Sequence, residues 1–115
     1  MQRDNIKHDA LAAFRYYAQS RAASAQITHA EDIIIIAAVA STLHHLHIEQ
    51  RDKTLDVIRL ICFDLPPGNL PRGDVTARVE MAAERLNMSV SCVWRELRRA
   101  YRVYDGWYAA FTSLS

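Results

Sequence analysis

A chain of 115 residues is the length of one ordinary domain, and with half of them hydrophobic it can bury a core without disulfide or metal staples. Three glycines and three prolines are too few for the many turns of a β-rich fold, so the composition selects an all-α class. A net charge of +1 singles out no partner by itself, and the polar start Met1–Asp9 does not resemble a secretory signal, which makes a cytoplasmic chain the expectation.

The first predicted helix spans Asp4 to about Arg21. Asp4 is its candidate cap, and Ile6, Ala10, Leu11, Phe14, Tyr17 and Ala18 recur at helical spacing. Small and polar residues from Ser20 to Gln26 read as a loop. Thr28 and Glu31 form a capping-box pair opening a second helix, His29 to His47. Its Ile33-Ile34-Ile35-Ile36 run cannot sit on one narrow stripe. That end of the helix is expected to be buried on more than one side, in the domain centre or against another subunit. The apolar run Ile33–Ala40 is too short to span a bilayer, so no membrane is expected.

A third helix is predicted from Asp52 to Phe63, with Leu55, Ile58, Ile61 and Cys62 inward. The segment Asp64–Gly73 holds all three prolines and reads as a loop. It divides N-terminal helices (1–63) from a C-terminal pair (74–111), too briefly to separate two domains, so residues 1–115 are expected to form one domain. The two cysteines, Cys62 and Cys92, have neither zinc nor redox spacing and read as reduced thiols.

Positive charge gathers after the loop. Arg72 to Arg102 holds seven arginines against four acids, a local balance of +3, and no lysine. Arginine suits bidentate contact with phosphate and guanine. Asp74 is the candidate cap of a helix that ends near Leu86. Ala83 is a small residue suited to a helix crossing, and Leu86 and Met88 flank a turn. Asn87 tolerates the left-handed backbone the turn requires, and Ser89 can cap the final helix. Val93, Leu97, Ala100 and Tyr104 form the inward stripe of that helix. Trp107, Tyr108 and Phe111 extend it, to pack on the N-terminal helices or on a second subunit.

The stretch Ala83–Ala100, AERLNMSVSCVWRELRRA, resembles the helix-turn-helix of sigma factor region 4, with Asn87 where that family has Gly and Cys92 where it has Thr. More loosely, Val57–Tyr108 resembles small sigma-like proteins of phages and prophages of Gram-positive bacteria; the first 55 residues carry no resemblance, and the other sigma regions are missing. The resemblance implies a transcriptional regulator that binds double-stranded DNA through a recognition helix. Ser91, Trp94, Arg95 and Arg98 would then lie nearest the base edges. Arg99, Arg102 and Arg78 would hold phosphates, and the helix N-terminus at Ser89 would offer backbone donors to one more. A homodimer would present two such helices to paired half-sites. The alternative is a non-catalytic interaction module directed at RNA polymerase or another phage component, with the arginines a solvated surface.

His44 and His47 share a helix face, but two histidines alone bind metal weakly, and the reading is a polar helix end with no metal site. No Gly-rich phosphate loop or catalytic constellation is present, so neither an enzyme nor a cofactor is expected.

Overall fold

A computed structural model describes residues 3–23, 30–63 and 74–114. Among these residues the chain forms five helices and no strand. They are α1 (Arg3–Ala23), α2 (Ala30–Ile48), α3 (Asp52–Ile58, continuing as a π turn over Arg59–Phe63), α4 (Asp74–Leu86) and α5 (Val90–Leu114). The expected capping box at Thr28 and the loop at 64–73 lie outside the described residues.

The 25-residue α5 is the organising element, packing against all four other helices. Val93, Leu97, Ala100, Tyr101 and Tyr104 form its buried side. They meet Ala10, Ala13 and Phe14 of α1, Ala38, Val39 and Leu46 of α2, Val57 and Ile58 of α3, and Val79, Ala82 and Ala83 of α4 in one core. Aromatic contacts knit its two ends of sequence together. The Phe14 ring lies 5.7 Å from that of Tyr104 and 6.4 Å from that of Tyr101. Past Tyr104, the Trp107 ring meets His45 of α2 edge-on at 6.4 Å and stacks on Phe111 at 5.6 Å. The aromatic tail therefore packs on the N-terminal helices, one of its two expected destinations, while Tyr108 stays 39% exposed.

Three expectations need correction. The segment Ser20–Ala23 is the last turn of α1 rather than loop, because good helix formers such as Arg21, Ala22 and Ala23 sustain the helix. The third helix is not uniform: its last five residues adopt a π turn. That wider turn aligns residues five apart, so Phe63 falls in line with Ile58 and reaches the Tyr17 ring of α1 at 6.0 Å. Finally, the domain by itself does not enclose the isoleucine end of α2, since Ile33 is 52% exposed. As a whole helix, rather than a short run, α2 is also long and apolar enough to cross a membrane by length and composition. It packs here on α5, α1 and α3, and Thr42 in its buried side is satisfied by donating to the Ala38 carbonyl at 2.7 Å.

α2 and α4 stop in the same way. Gln50 (φ 58°) and Asn87 (φ 54°) are left-handed, and each is followed by a residue whose N–H reaches back to the helix. Arg51 N–H donates to the Leu46 carbonyl at 2.9 Å, and Met88 N–H to that of Ala83 at 2.9 Å. Both are Schellman endings, in which a left-handed residue turns the chain so that the last carbonyls are satisfied.

Candidate nucleic-acid interface

The candidate surface begins at the turn between α4 and α5. Asn87 N–H donates to the Glu84 carbonyl at 3.3 Å, completing the ending of α4, and Leu86 and Met88 on either side are partly buried against the core. Only three residues, Asn87 to Ser89, separate the two helices. Ser89 Oγ then accepts a hydrogen bond from Cys92 N–H at 3.1 Å, capping α5 as its position in the sequence suggested. Ala83, the small residue expected at the crossing, is 6% exposed in the core with Ala82 beside it.

Side chains on α5 separate by helical phase. With its buried side set by Val93, Leu97, Ala100 and Tyr104, steps of about 100° per residue carry Ser91, Arg95, Arg98 and Arg102 to the opposite side. All four are exposed. Trp94 sits at the edge of this surface, partly buried against the core, and the Arg98 guanidinium lies over its ring, 5.9 Å from the centroid. That cation–π contact holds Arg98 extended along the helix surface. Arg95 reaches the other way and donates to Cys92 Sγ at 2.7 Å. Hydrogen bonding with Ser89 and then with Arg95 lowers the Cys92 thiol below its ordinary pKa.

Not all the arginines of the segment join this surface. Arg99 donates to Glu96 Oε1 at 2.7 Å, and the same oxygen accepts from Thr54 Oγ1 of α3 at 2.6 Å. Thr54 is 1% exposed, so Glu96 points toward α3 and takes Arg99 with it. The latch has a consequence for charge. Glu96 is the one carboxylate between Val90 and Tyr104, and it faces away from Arg95, Arg98 and Arg102. Arg78 of α4 is half-buried and lies within electrostatic reach of the Cys62 thiol, apart from the exposed stripe. The exposed side of α4 instead presents Glu80, Glu84 and Arg85.

The structure thus brings Ser91, Arg95, Arg98 and Arg102 together, with Trp94 at their edge and Ser89 at the helix start. It sets Arg99 and Arg78 elsewhere. Thr54 was not legible as part of this region, because it lies forty-two residues from its partner Glu96. Among the described residues no three His, Cys, Asp or Glu side chains converge on a point that could hold a metal ion. His45 pairs with Glu49 at 3.3 Å. No protein-family model, curated protein or solved structure matches the chain.

Proposed function

We propose that the chain is a non-catalytic DNA-binding protein, a transcriptional regulator of the phage type that presents the exposed side of α5 to duplex DNA. The observation that carries this reading is the unbroken positive stripe of Arg95, Arg98 and Arg102, from which Glu96 is turned away by Thr54 and Arg99. The Asn87 turn and the Ser89 cap support it, since a helix entering a major groove needs its first turns projecting and its N-terminus ordered. In this reading α4 and α5 act as a helix-turn-helix like that of sigma region 4. Ser91, Arg95 and Arg98 approach base edges. Arg102 holds a phosphate, and the backbone N–H groups after Ser89 offer donors to another.

A second reading, a protein-interaction module directed at RNA polymerase or a phage component, draws on Trp94, which remains half-exposed at the edge of the same surface. The Arg98 guanidinium lies over that ring, 5.9 Å from its centroid, and an apolar partner would have to displace it.

Fluorescence anisotropy on duplexes of random and operator-like sequence tests the proposal. Wild type binds, and Arg95→Ala/Arg98→Ala loses at least about tenfold in affinity, each guanine contact being worth about 1–3 kcal/mol. Retained affinity in the double variant, with loss on Trp94→Ala instead, would favour the protein-partner reading.

A further inference from the structure

Arg98 and Arg95 leave α5 in different directions, and the structure restrains them by different means. Arg98 follows Trp94 by one helical turn, and its guanidinium sits over the indole ring, 5.9 Å from the centroid. Trp94 is itself partly buried against the core, so the platform under Arg98 is fixed by the fold. Arg95 instead donates a terminal N–H to Cys92 Sγ at 2.7 Å. The two restraints differ in what they leave over. A cation–π contact acts on the charge of the guanidinium and uses no donor, whereas a hydrogen bond uses one. Among the described residues Arg98 donates no hydrogen bond and enters no ion pair, so its whole fork of N–H groups stays available. Arg99 is committed to Glu96. Arg102 has an open fork as well, but among the described residues no ring lies under it. Two-pronged recognition of guanine needs both properties together. Its O6 and N7 accept from two N–H groups of one planar fork, and a side chain restrained before binding loses less conformational freedom when it docks.

We infer that Arg98 is the residue through which α5 selects sequence, as a two-pronged donor to one guanine in the major groove, and that Trp94 is its positioning residue. Arg95, with a donor committed to Cys92, and Arg102, with no platform, contribute affinity more than selectivity. Trp94 thereby takes a different part from the one its sequence position implied: it acts through Arg98 rather than on a base edge. The inference rests on the proposed DNA reading and names the base that reading selects.

Short duplexes selected by the full chain from a random library supply the probe. Anisotropy then gives affinities for the selected duplex and for an unselected one of equal length. The selected site holds a fixed guanine, and replacing it with 7-deazaguanine, which lacks the N7 acceptor, costs wild type at least about fivefold in affinity. Arg98→Lys keeps the charge without the fork, so it binds the unselected duplex as wild type does and no longer senses 7-deazaguanine. Trp94→Ala loses about two- to fivefold on the selected duplex and little on the unselected one, a difference that a packing defect alone does not produce. Trp94→Phe, which keeps an aromatic face, recovers part of that loss. Should Trp94→Ala fail to fold, Trp94→Leu fills the same place against the core without a ring. Selection without a fixed guanine, wild type indifferent to 7-deazaguanine, Arg98→Lys that still senses it, or Trp94→Ala weakened equally on both duplexes would overturn the inference. Those outcomes leave the DNA reading standing so long as wild type binds duplex and Arg95→Ala/Arg98→Ala binds it less tightly. Absence of duplex binding by wild type overturns both.

Discussion

Glu96→Gln separates the structural role of the α5 arginines from their proposed role at DNA. The carboxylate accepts from Thr54 at 2.6 Å and from Arg99 at 2.7 Å, with the Glu96 side chain only 14% exposed. Gln keeps the shape and an acceptor but removes the charge. A hydrogen bond to a charged group contributes about 1.5–3 kcal/mol against about 1 for a neutral pair, so weakening the buried Thr54 bond costs about 1 kcal/mol. The Arg99 side chain is 31% exposed, and its pair, partly screened by solvent, adds less than about 1 kcal/mol. The sum is about 1–2 kcal/mol, a lowering of Tm by roughly 5 °C for a domain of this size. At the same time Arg99 is freed toward the solvent face. Glu96→Gln therefore melts earlier but binds duplex DNA more tightly, with a salt slope steeper by about 0.9. Thermal melts and anisotropy titrations read the two effects. In a double-mutant cycle, Thr54→Val couples to Glu96→Gln by about 1 kcal/mol. Unchanged stability with strict additivity would refute the latch, and weaker DNA binding would refute the claim that Glu96 holds Arg99 away.

The two cysteines should differ sharply toward alkylation. Iodoacetamide modifies Cys92 in the native protein, Ser89→Ala slows that reaction, and Cys62, 2% exposed, reacts only after unfolding; equal rates by mass spectrometry would contradict the site geometry. Burial pushes the Cys62 thiol up to about 12 from 9.0. A raised folded pKa leaves stability intact below the unfolded value and removes it as the unfolded chain ionises first. Stability should thus fall by about 1.4 kcal/mol per pH unit between about pH 9 and 12 from this group, and urea melts of Cys62→Ala should show a shallower decline. Helix chemistry offers two gains. Gly106→Ala, where an added Cβ meets nothing within 4 Å, stabilises α5 by about 1 kcal/mol. Gln50→Gly relieves a left-handed residue (φ 58°) and adds about 0.5 kcal/mol, both checked by chemical denaturation.

What the sequence made legible was local chemistry. Asn87 tolerates a left-handed backbone and a serine two residues later caps a helix whatever surrounds them, so the α4–α5 turn follows from its own residues. The inward stripe Val93–Leu97–Ala100–Tyr104 follows from helical period alone. Long-range pairing was hidden. By its sequence Arg99 reads as one of the phosphate-holding arginines, and only Thr54, on another helix, supplies the partner that draws Glu96, and Arg99 with it, off the exposed face. Arg78 shared the charge of the stripe but not its phase, and its helix turns it toward Cys62. The π turn at Arg59–Phe63 carries no Gly or Pro to announce it. The isoleucine run of α2 pointed to burial on several sides, and within the domain Ile34, Ile35 and Ile36 are partly covered while Ile33 is left 52% exposed.

The most direct test of the central claim is the salt dependence of duplex binding by wild type and by Arg95→Ala/Arg98→Ala. Each phosphate neutralised contributes a slope of about −0.9 in log K against log salt, so the account predicts clear salt-dependent binding by wild type and a loss of affinity in the double variant at every salt concentration. If the arginines meet phosphates, the slope is also shallower by up to about 1.8; if they meet bases, affinity falls with the slope nearly unchanged. No binding by wild type at low salt, or identical curves for the two proteins, would contradict it.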